Sequence, residues 1–204
     1  MMKWLLAVAL AAGLSYNYWK SHRPVEVESP PEVTLAASSE TRAPVQKDLS
    51  GGPQFRVNGY TLTGLAEISI GARVILAEHY SSDRESQLSP VDLVLAWGPM
   101  ADPRVLDAIR FSQSGRFYRW HYQGQPPIPH RQIELNSANM HMIPSSDAMA
   151  RKLKAVKAGD LVQIRGYLVQ AVAQDGWAWR SSLTRKDTGG GACELIFVQF
   201  LDVL

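Results

Sequence analysis

At 204 residues with 46% hydrophobic content, the chain has material for one sizeable core and little more. A formal net charge of +2 is too small to point to nucleic acid or an acidic lipid surface as the partner. The lone cysteine, Cys193, excludes an intrachain disulfide and a cysteine-built zinc cage.

The chain opens on an apolar run. One base, Lys3, precedes an uncharged stretch from Trp4 to Trp19, closed by Tyr16, Tyr18 and Trp19. Amphipathic rings at such an end suit the membrane–water interface. The run of about 16 residues is slightly short of the roughly 20 that span a bilayer as a helix, and Lys3 and Lys20 can snorkel to extend it. A cleaved signal would use Ala9-Leu10-Ala11 or nearby and leave a very short apolar region. No cysteine follows the run to make a lipoprotein. The reading is a retained signal-anchor over residues 1–19, a single-pass helix in a bacterial inner membrane with the bulk of the chain in the periplasm. Lys20 and Arg23 on the far side oppose that orientation under the positive-inside rule.

Residues 20–53 are rich in Pro, Glu, Ser, Thr and Ala, and between Pro24 and Ser50 the acids Glu26, Glu28, Glu32, Glu40 and Asp48 outnumber Arg42 and Lys47. So little apolar surface cannot offset ordering entropy, which predicts a disordered tether. Residues 54–204 are the expected globular domain.

Within it, Phe55, Val57, Tyr60 and Leu62 flank Asn58-Gly59, a hairpin-turn dipeptide. Ile68, Ile70, Ala72, Val74 and Leu76 alternate with smaller or polar residues and predict one long strand. Ser81–Ser89 is a polar loop, Val91–Trp97 a buried strand, and Asp102-Pro103 the cap and first residue of a short helix. Arg116–Tyr122 is an aromatic strand with Tyr118, Trp120 and Tyr122 on its core face. Gln132–Leu135 is a short strand and Asn136–Pro144 an irregular segment. Ser145 or Ser146 then caps a helix whose Met149, Leu153 and Val156 share a face, with Gly159 as its C′ residue. Val162, Ile164 and Leu168 open the next strand. A turn at Gln174-Asp175-Gly176 leads to a returning strand at Trp177–Trp179, and Leu195–Leu204 is apolar enough for a central strand.

This order predicts a mostly β domain with two short helices, a small antiparallel barrel. The run Lys157–Val169 resembles the strand that follows the helix in an OB-type barrel, which makes an OB-like form the specific expectation.

Candidate chemistry is sparse. Met140, His141 and Met142 follow Asn136 and Asn139, a soft donor set of a kind that copper uses. Successive residues of a strand face opposite ways, however, so one ion cannot easily meet all three. Arg180, Arg185 and Lys186 near a glycine-rich loop at Thr184–Gly191 could form an anion site through side chains and backbone amides, but the Walker spacing is missing. Asp187-Thr188-Gly189 resembles the triplet of retroviral-type aspartic proteases, yet here Arg185-Lys186 precedes it instead of an apolar strand. Cys193 with His141 is a conceivable thiol and base. The basic-aromatic strand from Arg116 could stack bases as OB barrels do with single strands.

The expectation is a non-enzymatic binding or scaffold domain. It docks an envelope protein through a surface of Asn139, His141, Trp179, Arg180, Arg185 and Asp187, with no metal, cofactor or nucleic acid. The alternatives are a metal- or Cys/His-dependent envelope hydrolase using His141, Cys193 or Asp187, and an OB-type single-strand binder.

Overall fold

The computed structural model describes residues 31–35, 41–184 and 193–204; the apolar run at 1–19 and most of the glycine-rich loop lie outside them. Ten strands carry the fold: β1 Val45–Asp48, β2 Gln54–Val57, β3 Tyr60–His79, β4 Val91–Ala96, β5 Arg110–Ser114, β6 Phe117–His121, β7 Ser137–Pro144, β8 Leu161–Val172, β9 Ala178–Arg180 and β10 Glu194–Val203. The described helices are α1 Pro103–Asp107, α2 His130–Leu135 and α3 Asp147–Ala155.

Five strands pair in a closed ring. β3 runs antiparallel to β4, β4 to β7, β10 to β8 and β8 to β3, while β7 and β10 are parallel. Closure leaves these strands no bare edge to aggregate through. β1 and β2 pair with β3 and β9 with β8, while β5 and β6 form a separate two-stranded sheet.

The interior follows from period-two alternation. Ile68, Ile70, Ala72 and Val74 of β3 meet Leu93 and Leu95 of β4, Met140 and Met142 of β7, Ile164 and Leu168 of β8, and Ile196 and Val198 of β10. Met149, Leu153 and Val156 of the α3 region join the same core. Each large aliphatic side chain so buried contributes about 1.5–3 kcal/mol.

A strand as long as β3 cannot stay straight in a small ring, and two bulges bend it, at Gly64/Ala66 and Val74/Leu76. The second corrects the expected face. Leu76 leaves the interior for an outer cluster and Ala77 takes its place against the inner one. Asn58 and Gly59, with φ of 51° and 84°, form the expected tight turn between β2 and β3.

Other expectations need correction. Residues 137–144 are a strand, not irregular, because β4 and β10 pair with β7 from both sides and outweigh the poor strand propensity of Asn and Ser. The short strand expected at 132–135 is part of helix α2. Ser146 caps α3 as expected, accepting from the Met149 amide at 3.1 Å. Gly159 is not its C′ residue: the helix ends at Ala155, and Gly159, at φ +94°, serves the turn into β8 and donates to the Val74 carbonyl. Nor is the expected tether slack throughout, since it supplies β1 and since Val33 is only 5% exposed.

Two apolar clusters coat the outside of the ring. Phe55, Leu62, Tyr167, Val169, Leu195 and Phe197 form one beneath the β2–β3 hairpin. Ile75, Val94, Ala96, Met100, Ile109 and Ile133 form the other, with Phe111, Tyr118 and Trp120 of the β5–β6 hairpin packed against it. A polar seam lies on the same outer faces of β4 and β7.

Candidate functional site: a buried Asp–Arg–His seam

The seam begins with a charge in an apolar strand. Val91, Leu93 and Leu95 of β4 face inward, so Asp92 faces out, and it is 0% exposed. Across the ladder it is opposite His141 of β7, two positions along from Asn139. A buried carboxylate must be paired or protonated. Here the partner arrives from outside the ring, at the tip of the β5–β6 hairpin.

That tip is Gly115-Arg116, with φ of 56° and 67°. Left-handed backbone is ordinary for glycine and costs an arginine roughly 1 kcal/mol. The cost is offset by what the side chain then reaches. Arg116 Nη1 stands 3.1 Å from Asp92 Oδ1, while Nε and Nη2 form a fork on Asp83, each at 2.9 Å. Nη2 also donates to the Ser89 carbonyl at 3.2 Å. The guanidinium carbon lies 4.2 Å from the Tyr80 ring centre and 5.4 Å from that of Trp179, both within cation–π range. The Arg116 amide donates to the Tyr80 hydroxyl, and the Arg116 carbonyl accepts from Asn139 Nδ2 at 2.8 Å. Gln113 Nε2 in turn donates to Asn139 Oδ1 at 2.7 Å.

The second oxygen of Asp92 belongs to His141. Its Oδ2 is 2.9 Å from His141 Nδ1. The approach is off the axis of a ring N–H bond, so neither atom makes a well-aligned hydrogen bond. The imidazole packs against Trp179 of β9, with ring centres 4.7 Å apart at 49°. From there the rings continue outward through Trp177 to Tyr60, at 6.2 and 5.6 Å, with Arg84 over Trp177.

Titration follows from these contacts. Burial pushes the Asp83 carboxyl up, but the Arg116 bonds and its charge outweigh that and hold it below the ordinary range. Burial raises the Tyr80 hydroxyl. The Cys193 thiol is pushed up to about 11, first by burial and then by Glu194 and Asp92.

The expected site residues divide accordingly. Asn139, His141 and Trp179 come together. Arg180 follows Trp179 on β9, is exposed, and bonds Gln170 at 2.6 Å outside the seam. Arg185 and Asp187 lie outside the described residues. Met140 and Met142 face the ring interior while His141 faces out, so the soft donor set is split across the sheet. Among the described residues no group of three or more His, Cys, Asp or Glu is arranged to hold a metal ion.

Sequence reasoning passed over Asp83, Asp92 and Gln113, and gave Arg116 a different role, as the start of a base-stacking strand. Asp92 carried a signal, as the one charge within Val91–Trp97. The role of Arg116 was hidden because the Arg110–Ser114 strand was not recognised, and without it Gly115-Arg116 does not read as a hairpin turn. Comparison of the chain with known protein families, with curated proteins and with solved structures returned no match.

Proposed function

We propose that the chain is a non-enzymatic binding or scaffold module, an OB-type barrel held at a bacterial inner membrane by residues 1–19 with its folded part in the periplasm. The observation that carries the barrel reading is the ring order β3–β4–β7–β10–β8, with one parallel pair and with α3 between β7 and β8 in the chain. OB barrels bind ligands on the outer face of their second and third strands. Here β4 and β7 hold those positions, and that analogy directs attention to their outer surface. The β5–β6 hairpin covers part of it, and the half-buried Trp179 stands at the rim of the seam beside His141. An aromatic anchor beside buried polar groups is the usual centre of a protein-binding patch.

Nothing in the seam favours catalysis. Asp92 Oδ1 is held by Arg116 and Ser89, and Oδ2 stands against His141 Nδ1. Burial, Glu194 and Asp92 push the Cys193 thiol up to about 11, which works against a resting thiolate in the Cys193–His141 reading. The single-strand reading loses the basic-aromatic platform it relied on. Arg116 is turned inward to Asp83 and Asp92, and Tyr118 bonds Ser137.

The test is a photoreactive amino acid in place of Trp179 in the full chain in its native membrane, with Lys154 on α3 as the control position. Discrete adducts at position 179 alone support the module. Equal adduct patterns at both positions, or none at 179, contradict it. A C-terminal alkaline phosphatase fusion tests the compartment, and an inactive fusion rules out the periplasm.

A further inference from the structure

The outer face of β3, β8 and β10 holds a short extended segment of the chain itself, Pro31–Leu35. Among the described residues its hydrogen bonds are made by side chains rather than by a strand ladder. Gln199 clamps two positions at once: its Oε1 accepts from the Val33 amide and its Nε2 donates to the Pro31 carbonyl, both at 2.9 Å. The Tyr167 hydroxyl donates to the same carbonyl at 3.2 Å, filling its second lone pair. The Thr34 hydroxyl donates to Glu67 Oε2 at 2.7 Å, and Arg165 Nη1 donates to the Leu35 carbonyl at 3.3 Å. Val33 enters the apolar cluster that contains Phe55, Tyr167 and Phe197.

The receiving face is built for this. Glu67, Tyr167 and Phe197 lie in one row across the three strands, and Ser69, Arg165 and Phe200 in the next. A bulge at Val198/Phe200 puts Gln199 and Phe200 on the same outer face, which frees Gln199 to reach the segment and sets the Phe200 ring 4.4 Å beneath Arg165. Bulges commonly re-aim side chains in this way beside binding sites. The clamp is chiefly polar, with Val33 as its buried apolar anchor. Water can solvate the polar groups when the segment leaves, so the face does not depend on staying filled.

We propose that this face is a recognition site for an extended peptide of the pattern Val-x-aliphatic, which Pro31–Leu35 fills in cis and a partner's peptide of that pattern displaces. Side-chain bonds to main-chain groups supply affinity, while the pocket for Val33 and the packing of Leu35 supply the pattern. The site shares no hydrogen-bonding residue with the Arg116 seam, although Val33 and Trp179 pack on the same apolar cluster, and its test reads peptide binding rather than adducts at Trp179, so the two proposals fail separately.

The test uses the full chain and a fluorescent peptide of sequence Gly-Pro-Glu-Val-Thr-Leu-Gly, read by anisotropy. In the wild type the tethered segment competes at an effective concentration on the order of millimolar, so the free peptide binds weakly. Val33→Asp empties the site, and the peptide should then bind at least about tenfold tighter, by relief of that competition. Adding Gln199→Ala should abolish the gain, as should Val→Asp in the peptide. Near-UV circular dichroism checks the fold, and a chain with residues 31–35 replaced by alternating Gly and Ser takes the place of Val33→Asp if that variant is unfolded. Failure of the peptide to bind a folded chain with an emptied site would overturn the proposal, as would equal affinity for that chain and the wild type, or indifference to Gln199→Ala.

Discussion

The inside of the ring and the seam on its outside are held together by different physics. The interior is apolar, periodic and redundant: no residue in it has a required partner, only a required face. The seam is polar and specific. Asp92, 0% exposed, sits on the ring, and the cation that neutralises it comes from a hairpin tip 24 residues further along the chain. Interior packing therefore specifies that a ring forms, and the seam specifies where the hairpin docks against it.

The two regions should answer differently to mutation. The largest effect is expected at Arg116. Arg116→Ala strands a buried carboxylate and should cost about 3–5 kcal/mol in urea unfolding. Leu95→Ala in the interior removes transfer energy and leaves a cavity, a loss of about 2–5 kcal/mol. The two should add when combined with each other, because the side chains share no partner. A strongly non-additive pair would merge the regions that are separated here.

A smaller effect concerns pH. The Asp83 carboxyl is held below its ordinary value of 3.8 in the folded state, so its contribution is present above that value and fades as pH falls through the lower folded one. Asp83→Asn should flatten the acid limb of the stability profile. At the other end, Cys193 titrates at about 11 when folded, against 9.0 as the reference. Its contribution is thus present below pH 9 and lost as pH rises toward 11. Alkylation of the native chain should be slow at pH 8 and accelerate two units later than in urea. The smallest effect is at the hairpin tip: Gly115, at φ +56°, has open space around it, so Gly115→Ala should cost only the backbone strain, about 1 kcal/mol.

How legible each region was follows from the same difference. The interior could be read because Ile68, Ile70, Ala72 and Val74 recur at period two within one strand, and the reading failed at Leu76, where a bulge shifts the phase without any sign in composition. Asn139, His141 and Trp179 were legible as candidates because their residue types are unusual in their positions. Their common partner was not. Asp83, Asp92 and Arg116 meet only after β4, β7 and the β5–β6 hairpin are assembled, and no local pattern encodes that meeting. β7 itself was misread because Ser137, Asn139 and His141 are the outward half of an alternation whose inward half is Ala138, Met140 and Met142.

The central claim is that Arg116 and Asp92 act as one unit. A double-mutant cycle of Arg116→Gln and Asp92→Asn, measured by urea unfolding, tests it most directly. The account predicts that the double variant is more stable than Arg116→Gln alone, because neutralising Asp92 relieves the stranded charge. Losses that simply add would contradict it.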